Sequence, residues 1–216
     1  MMGAGAGAMA IGTYALMRPG QGPMPFLPQP AHAQDATGEM PEVVEMALGD
    51  PDAPVEVIEY ASFTCPHCAT FHLNTMPRLK AEYVESGLVR FIYREVYFDR
   101  PGLWASMIAR CAGPMRYFGV VDLIYQRQAD WVQGSPAEIA ESLRRIGRTA
   151  GMTNDQLDAC LTDAAMAQAL IDRDQQNRQV HDIPGTPHFV INGTMHPNMS
   201  YEDFAALIED ALAAAQ

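Results

Sequence analysis

Val55-Glu56-Val57-Ile58-Glu59-Tyr60 leads almost at once to Phe63-Thr64-Cys65-Pro66-His67-Cys68. The first six residues are rich in β-branched side chains and alternate apolar with polar, which predicts a strand. From Pro66 to about Glu85 the apolar spacing becomes helical, through Phe71, Met76, Leu79 and Tyr83. Pro66 suits the first helical turn, where its missing N–H is not required. Two thiols therefore stand where a strand turns into a helix. Pro77 inside the helical run predicts a kink, and Gly87 ends it.

That placement has chemical consequences. The first turn of a helix leaves backbone N–H groups unpaired, and the helix dipole favours negative charge there. Cys65 at that end should ionise readily and act as the exposed nucleophile and leaving group. Cys68, one turn inside, is the expected resolving thiol. His67, when protonated near the sulfur, should stabilise the thiolate further. A stabilised thiolate is a stabilised reduced form, so the disulfide of such a pair is a strong electron acceptor. A zinc knuckle is the rival reading, because Cys65, His67, Cys68 and His72 are all ligand types. Structural zinc sites normally draw pairs of ligands from separated segments, and Cys111 and Cys160 stand alone. His72 reads as a helix-face histidine and receives no role.

Outward from this centre, Leu88 to Val96 reads as a second strand. The region from Gly102 to about Arg178 reads as consecutive helices, broken at Gly113-Pro114, Gly134-Ser135-Pro136 and Gly151-Met152-Thr153. Ser135 with Glu138, and Thr153 or Asn154 with Gln156, are helix-start signals. Strand character returns at His188 to Gly193, with a short strand expected after it. A last helix runs from about Ser200 to Ala215, with Asp203 supporting the cap. Before the first strand, Val43 to Leu48 is a short apolar piece. A Pro/Asp-rich turn then covers residues 49–54.

The chain has 216 residues, is 48% hydrophobic and 19% charged, and carries a net charge of -12. It is a foldable globular sequence. The acidic balance argues against a nucleic-acid partner, which needs a cationic surface. Residues Gly3 to Met17 are small, apolar and uncharged, and Ala31-His32-Ala33 resembles a signal-peptidase site. We read residues 1–33 as an export leader, although no Lys or Arg precedes the apolar run. The apolar run is shorter than the ~20 residues a spanning helix needs.

The order strand, Cys-Pro-His-Cys, helix, strand, helical block, Gly185-Thr186-Pro187, strand resembles the DsbA family of periplasmic thiol:disulfide oxidases. The resemblance covers about Leu48 to the C-terminus. It implies a thioredoxin-like α/β fold, formed by residues 34–100 and 179–216, with an inserted helical domain over 101–178. It implies a dithiol oxidase in which Cys65, Pro66, His67 and Cys68 form the redox centre. Pro187 matches the family's cis-proline, whose neighbour Thr186 would present its backbone to an extended substrate peptide. Glu59 matches an acidic residue beneath the disulfide, with a proton relay to Cys68 as its role. The alternative for Glu59 is a solvated strand residue, as Glu56 suggests. The resemblance further implies periplasmic location, reduced or unfolded exported polypeptides as substrates, and a DsbB-like quinone-linked membrane oxidase as partner. No dissociable cofactor is implied, and a monomer is the default expectation. Isomerase or reductase activity on the same fold, or a non-catalytic chaperone or zinc module, are the alternatives. An even cysteine count in an exported chain favours a structural Cys111–Cys160 disulfide; two buried free thiols are the alternative. Phe63 reads as core, and Met195 and Met199 as candidates for a peptide groove.

Overall fold

The computed structural model describes residues 41–215. The leader expected over residues 1–33 lies outside the described residues. The described strands form one sheet in the order β1 (Met46–Leu48), β3 (Val89–Glu95), β2 (Val55–Ala61), β4 (His188–Ile191) and β5 (Thr194–Pro197). β2 runs parallel to β3, and all other pairings are antiparallel.

The alternation in residues 55–60 predicts one solvated face, but the structure buries both faces of β2. The reason is position. β2 is the middle strand, and a parallel pairing needs cover on each side. Val55, Val57 and Ala61 join the main core, while Ile58 and Tyr60 join a second cluster with Ile92, Val96 and Val190. Glu59 has the parity of Val57 and Ala61, so it points into the main core. Glu56 points to the other face and is only half-buried.

The helix after Cys65 is interrupted as Pro77 predicts. α1 (Pro66–Asn74) stops before Thr75, and α2 (Met76–Leu79) leads into a π turn over Lys80–Val84. Proline has no N–H to continue the ladder, so the backbone re-registers around it. Gly87 closes the segment at φ +76°, a conformation that suits glycine.

Between β3 and β4 stand α3 (Arg100–Cys111), α4 (Pro114–Gln126), α5 (Gln128–Trp131), α6 (Pro136–Thr149), α7 (Asn154–Thr162) and α8 (Ala164–Val180). The chain ends in α9 (Tyr201–Ala214). The Ser135–Glu138 and Thr153–Gln156 capping boxes are both formed. The breaks at Arg127 and Asp163 carry no glycine or proline and are not visible in the sequence. The main core is continuous from the sheet (Val57, Phe91, Phe189) through Phe71 to Ile108, Val121, Leu143 and Leu157 of the helical block. A buried polar link adds to it. Glu95 at the end of β3 accepts hydrogen bonds from Ser106, Arg110 and Tyr117. Among the described residues no helix is long and apolar enough to cross a membrane.

Cys111 and Cys160 are joined as a disulfide that ties α3 to α7, with Cα atoms 6.2 Å apart. The bridge closes a loop with a sequence separation of 49. In the chain-entropy account such a loop contributes on the order of 4 kcal/mol, as an upper figure. The double variant C111S/C160S should therefore unfold at lower denaturant, with a loss of about 2–4 kcal/mol. An unchanged midpoint in urea would show that the bridge adds no stability.

Candidate active site

Cys65 occupies the N-cap of α1 in an extended conformation, with Pro66 at the first helical position. Its backbone N–H bonds the Ser62 carbonyl, closing a tight turn between β2 and α1. Two residues of the helical block and the Asp99 that caps its first helix hold that turn. Gln128, buried in α5, donates to the carbonyls of Phe63 at 2.7 Å and Cys65 at 3.0 Å. The Tyr125 hydroxyl donates to the Ser62 carbonyl at 3.3 Å. Asp99, the N-cap of α3, accepts from the Thr64 hydroxyl at 2.8 Å. The sequence carries no mark of these three roles, because each acts across more than thirty residues.

Both cysteines are free thiols here. Cys65 is half-buried, whereas Cys68 is fully buried. Their acidities diverge accordingly. The hydrogen bond from the Cys68 thiol lowers the Cys65 pKa most. Burial opposes it, and bonds from the Thr186 side chain and the backbone N–H groups of Cys68 and His67 add to the lowering. The Cys65 pKa comes down from 9.0 to about 5. Cys68 is pushed far above the ordinary thiol range by burial, by its bond to Cys65, and by the charges of Glu59 and Cys65. The His67 imidazole is exposed; what reaches the sulfur is the His67 backbone N–H, and not the ring expected from the motif.

The Thr186–Pro187 peptide is cis. The neutral Cys65 thiol donates to the Thr186 carbonyl at 3.2 Å, so the Gly185-Thr186-Pro187 turn and the Cys-Pro-His-Cys turn meet at this sulfur. Ionisation of Cys65 removes that bond and frees the carbonyl for another donor. Pro187 is buried and Thr186 is half-buried. Phe63 lies in the core against Tyr93 and Tyr125. Met195 is exposed, and Met199 packs against the main core.

Glu59 is completely buried, and its charge acts on Cys68. Its Oε2 is 2.8 Å from His72 Nε2, and the His72 side chain is 2% exposed. His72 is thus part of the buried centre and not a solvent-facing helix residue. A signal for it exists in the sequence: His72 falls four residues after Cys68, on the same helix face. Among the described residues no three His, Cys, Asp or Glu side chains form a metal-holding group, and Cys65, His67, Cys68 and His72 do not converge.

A thioredoxin family model matches residues 42–210. A Rickettsia bellii protein, named provisionally as a protein-disulfide oxidoreductase, is 32% identical over 169 residues, 78% of this chain. The match spans only 64% of that relative's length. "Disulfide bond formation protein D" of Bacillus subtilis is 24% identical over 82% of both chains. The crystal structure of Wolbachia pipientis alpha-DsbA1 superposes with a TM-score of 0.74 at 26% identity, covering 82% of this chain and 94% of that one. The chain belongs to the thioredoxin family, and its fold is thioredoxin-like. Within the family its likeness is to proteins of the DsbA type.

The divergent thiols predict a titration. In the dithiol form, thiolate absorbance near 240 nm should rise as one step with a midpoint at about pH 5. C65S should abolish that step, while C68S should move it upward, because the Cys68 thiol is the main stabilising donor. Two equal steps near pH 9 would contradict the assignment.

Proposed function

We propose that this chain is a thiol:disulfide oxidoreductase working as a dithiol oxidase, which passes its Cys65–Cys68 disulfide to reduced, exported polypeptides. The observation that supports this most is the half-buried Cys65 thiol, poised as a thiolate beside a fully buried Cys68. Stabilising the thiolate stabilises the reduced enzyme and makes the disulfide a stronger oxidant. Relatives named for protein-disulfide oxidoreduction and for disulfide bond formation support the same reading.

A substrate thiolate attacks Cys65 Sγ of the disulfide form. A substrate–Cys65 bond forms, the Cys65–Cys68 bond breaks, and its electron pair stays on Cys68, which takes up one proton. A second substrate thiolate then attacks the substrate sulfur of the mixed disulfide, and Cys65 leaves as the thiolate. The substrate has given up two electrons and two protons. The enzyme holds both electrons and, above pH about 5, one proton; the other goes to solvent. Glu59, buried beside Cys68, exchanges that proton with it. The Thr186 backbone pairs with the extended substrate while Cys65 is bonded to it. No dissociable cofactor takes part.

The reduced enzyme needs an electron acceptor, for which a quinone-linked membrane oxidase of the DsbB type fits. The Cys111–Cys160 bridge suits an oxidising compartment and supports a periplasmic setting. A monomer suffices, since every group named lies in one chain.

The disulfide form, mixed with a reduced unfolded protein, should restore that protein's disulfides stoichiometrically. C65S should reduce the rate to background. C68S should accumulate a mixed disulfide when challenged with an activated substrate thiol. Full oxidation by C65S would refute the proposal.

A further inference from the structure

The Glu59–His72 pair is built as an open chain. Oε2 and Nε2 are bonded at 2.8 Å, and both side chains are buried. The other ends, Glu59 Oε1 and His72 Nδ1, are buried and make no hydrogen bond within the described residues. Buried polar atoms without a partner are rare in folded proteins and call for an explanation. A purely structural pair would be expected to satisfy both ends.

The surroundings differ on the two sides of the pair. On the inner side, Glu59 acts electrostatically on Cys68, one turn before His72 on α1. On the outer side, His72 lines a cleft of about 290 Å³ together with Lys80, Asp122 and Tyr125. The Tyr125 ring stacks on the imidazole at 4.3 Å between centroids, and Tyr93 meets it edge-on at 5.5 Å. Tyr93 and Tyr125 bond each other at 2.6 Å, so neither hydroxyl is needed by the imidazole. The titratable groups around His72 are therefore Glu59 from β2, Cys68 from α1, Lys80 from the π turn, Tyr93 from β3, and Asp122 and Tyr125 from α4. Of these, Lys80 and Asp122 are exposed to solvent.

We propose that His72 is the positioning and proton-passing residue that connects Glu59 to the solvent of this cleft, so that buried Cys68 gains and loses its proton along Cys68, Glu59, His72 and the cleft. This rests on the dithiol-oxidase reading and on Glu59 as its inner relay. The step is conservative. When the Cys65–Cys68 bond breaks, the electron pair stays on Cys68. His72 passes its Nε2 proton to the Glu59 carboxylate, Glu59 passes a proton on to Cys68, and the cleft supplies one to Nδ1, so that Glu59 ends as the carboxylate it began as. An imidazole suits this position because it can accept at one nitrogen while donating at the other. Stacking on Tyr125 holds the ring in the plane that the relay needs.

The test is single-turnover oxidation of a reduced peptide, followed from pH 5 to 8 in the wild type, H72Q and E59Q. H72Q keeps a donor toward Glu59 but cannot pass a proton. It should slow the turnover at least about tenfold, in keeping with the contribution of positioned acid–base groups, and flatten the pH profile. The Cys65 absorbance titration serves as the control for a disturbed site. An H72Q rate equal to wild type, or a slower rate with the wild-type profile, would overturn the role of His72. If E59Q changes the profile and H72Q does not, Glu59 stands and His72 fails. If E59Q changes nothing, the inner relay itself fails. Should H72Q not fold, histidine nitrogen NMR of the wild type decides. The His72 protonation or tautomer state should differ between dithiol and disulfide forms, and identical spectra from pH 5 to 8 would reject the proposal.

Discussion

Two sulfurs one helical turn apart lie on opposite sides of the solvent boundary, and the site depends on that difference. Cys65 sits at the helix N-cap, where backbone N–H groups and the Cys68 thiol can share its negative charge. Cys68 is enclosed by the core, where a charge would be costly. In the proposed reaction, when a Cys65–Cys68 bond breaks, the electron pair and the proton are thereby sorted: charge to the outer sulfur, proton to the inner one. Neither cysteine has this character alone, since the thiol–thiol hydrogen bond lowers one pKa and raises the other.

The rest of the molecule maintains the boundary. β2 passes below the turn in the middle of the sheet, which places Glu59 inside. The helical block reaches back over the same turn through Gln128 and Tyr125, and through the Asp99 that caps its first helix. These contacts order residues 62–65 so that Cys65 does not have to be held by its own helix alone. The Thr186–Pro187 turn completes the ring from the far end of the sequence. The helical block is thus a structural part of the candidate site as well as an addition to the sheet.

Much of this was legible in the sequence. The periodicity change around Cys65, Pro66 at the helix start, the kink at Pro77 and the glycine-marked breaks all have local causes. Local signals become weaker where packing decides. The alternation of residues 55–60 implied an exposed face because a single strand does not reveal that it will be central. Glu56 suggested a solvated role for Glu59, yet the two are three residues apart and so face opposite sides of a strand. His72 reads as a helix-face histidine without a role until the interior position of Glu59 gives it a partner. Gln128 and Asp99 had no sequence signal, since their targets are backbone and side-chain atoms far away in the chain. The breaks at Arg127 and Asp163 likewise have no glycine or proline to announce them.

The central claim is that reduction leaves Cys65 as a thiolate and Cys68 as a thiol, and that this makes the disulfide oxidising. The equilibrium of the Cys65–Cys68 pair with glutathione, measured from pH 4 to 8, tests it most directly. The account predicts that the enzyme disulfide oxidises glutathione throughout this range. It also predicts a potential that falls by about 30 mV per pH unit above pH about 5 and by about 59 mV below it, as one proton and then two accompany two electrons. A slope of about 59 mV up to pH 8, with a pair more reducing than glutathione, would contradict it.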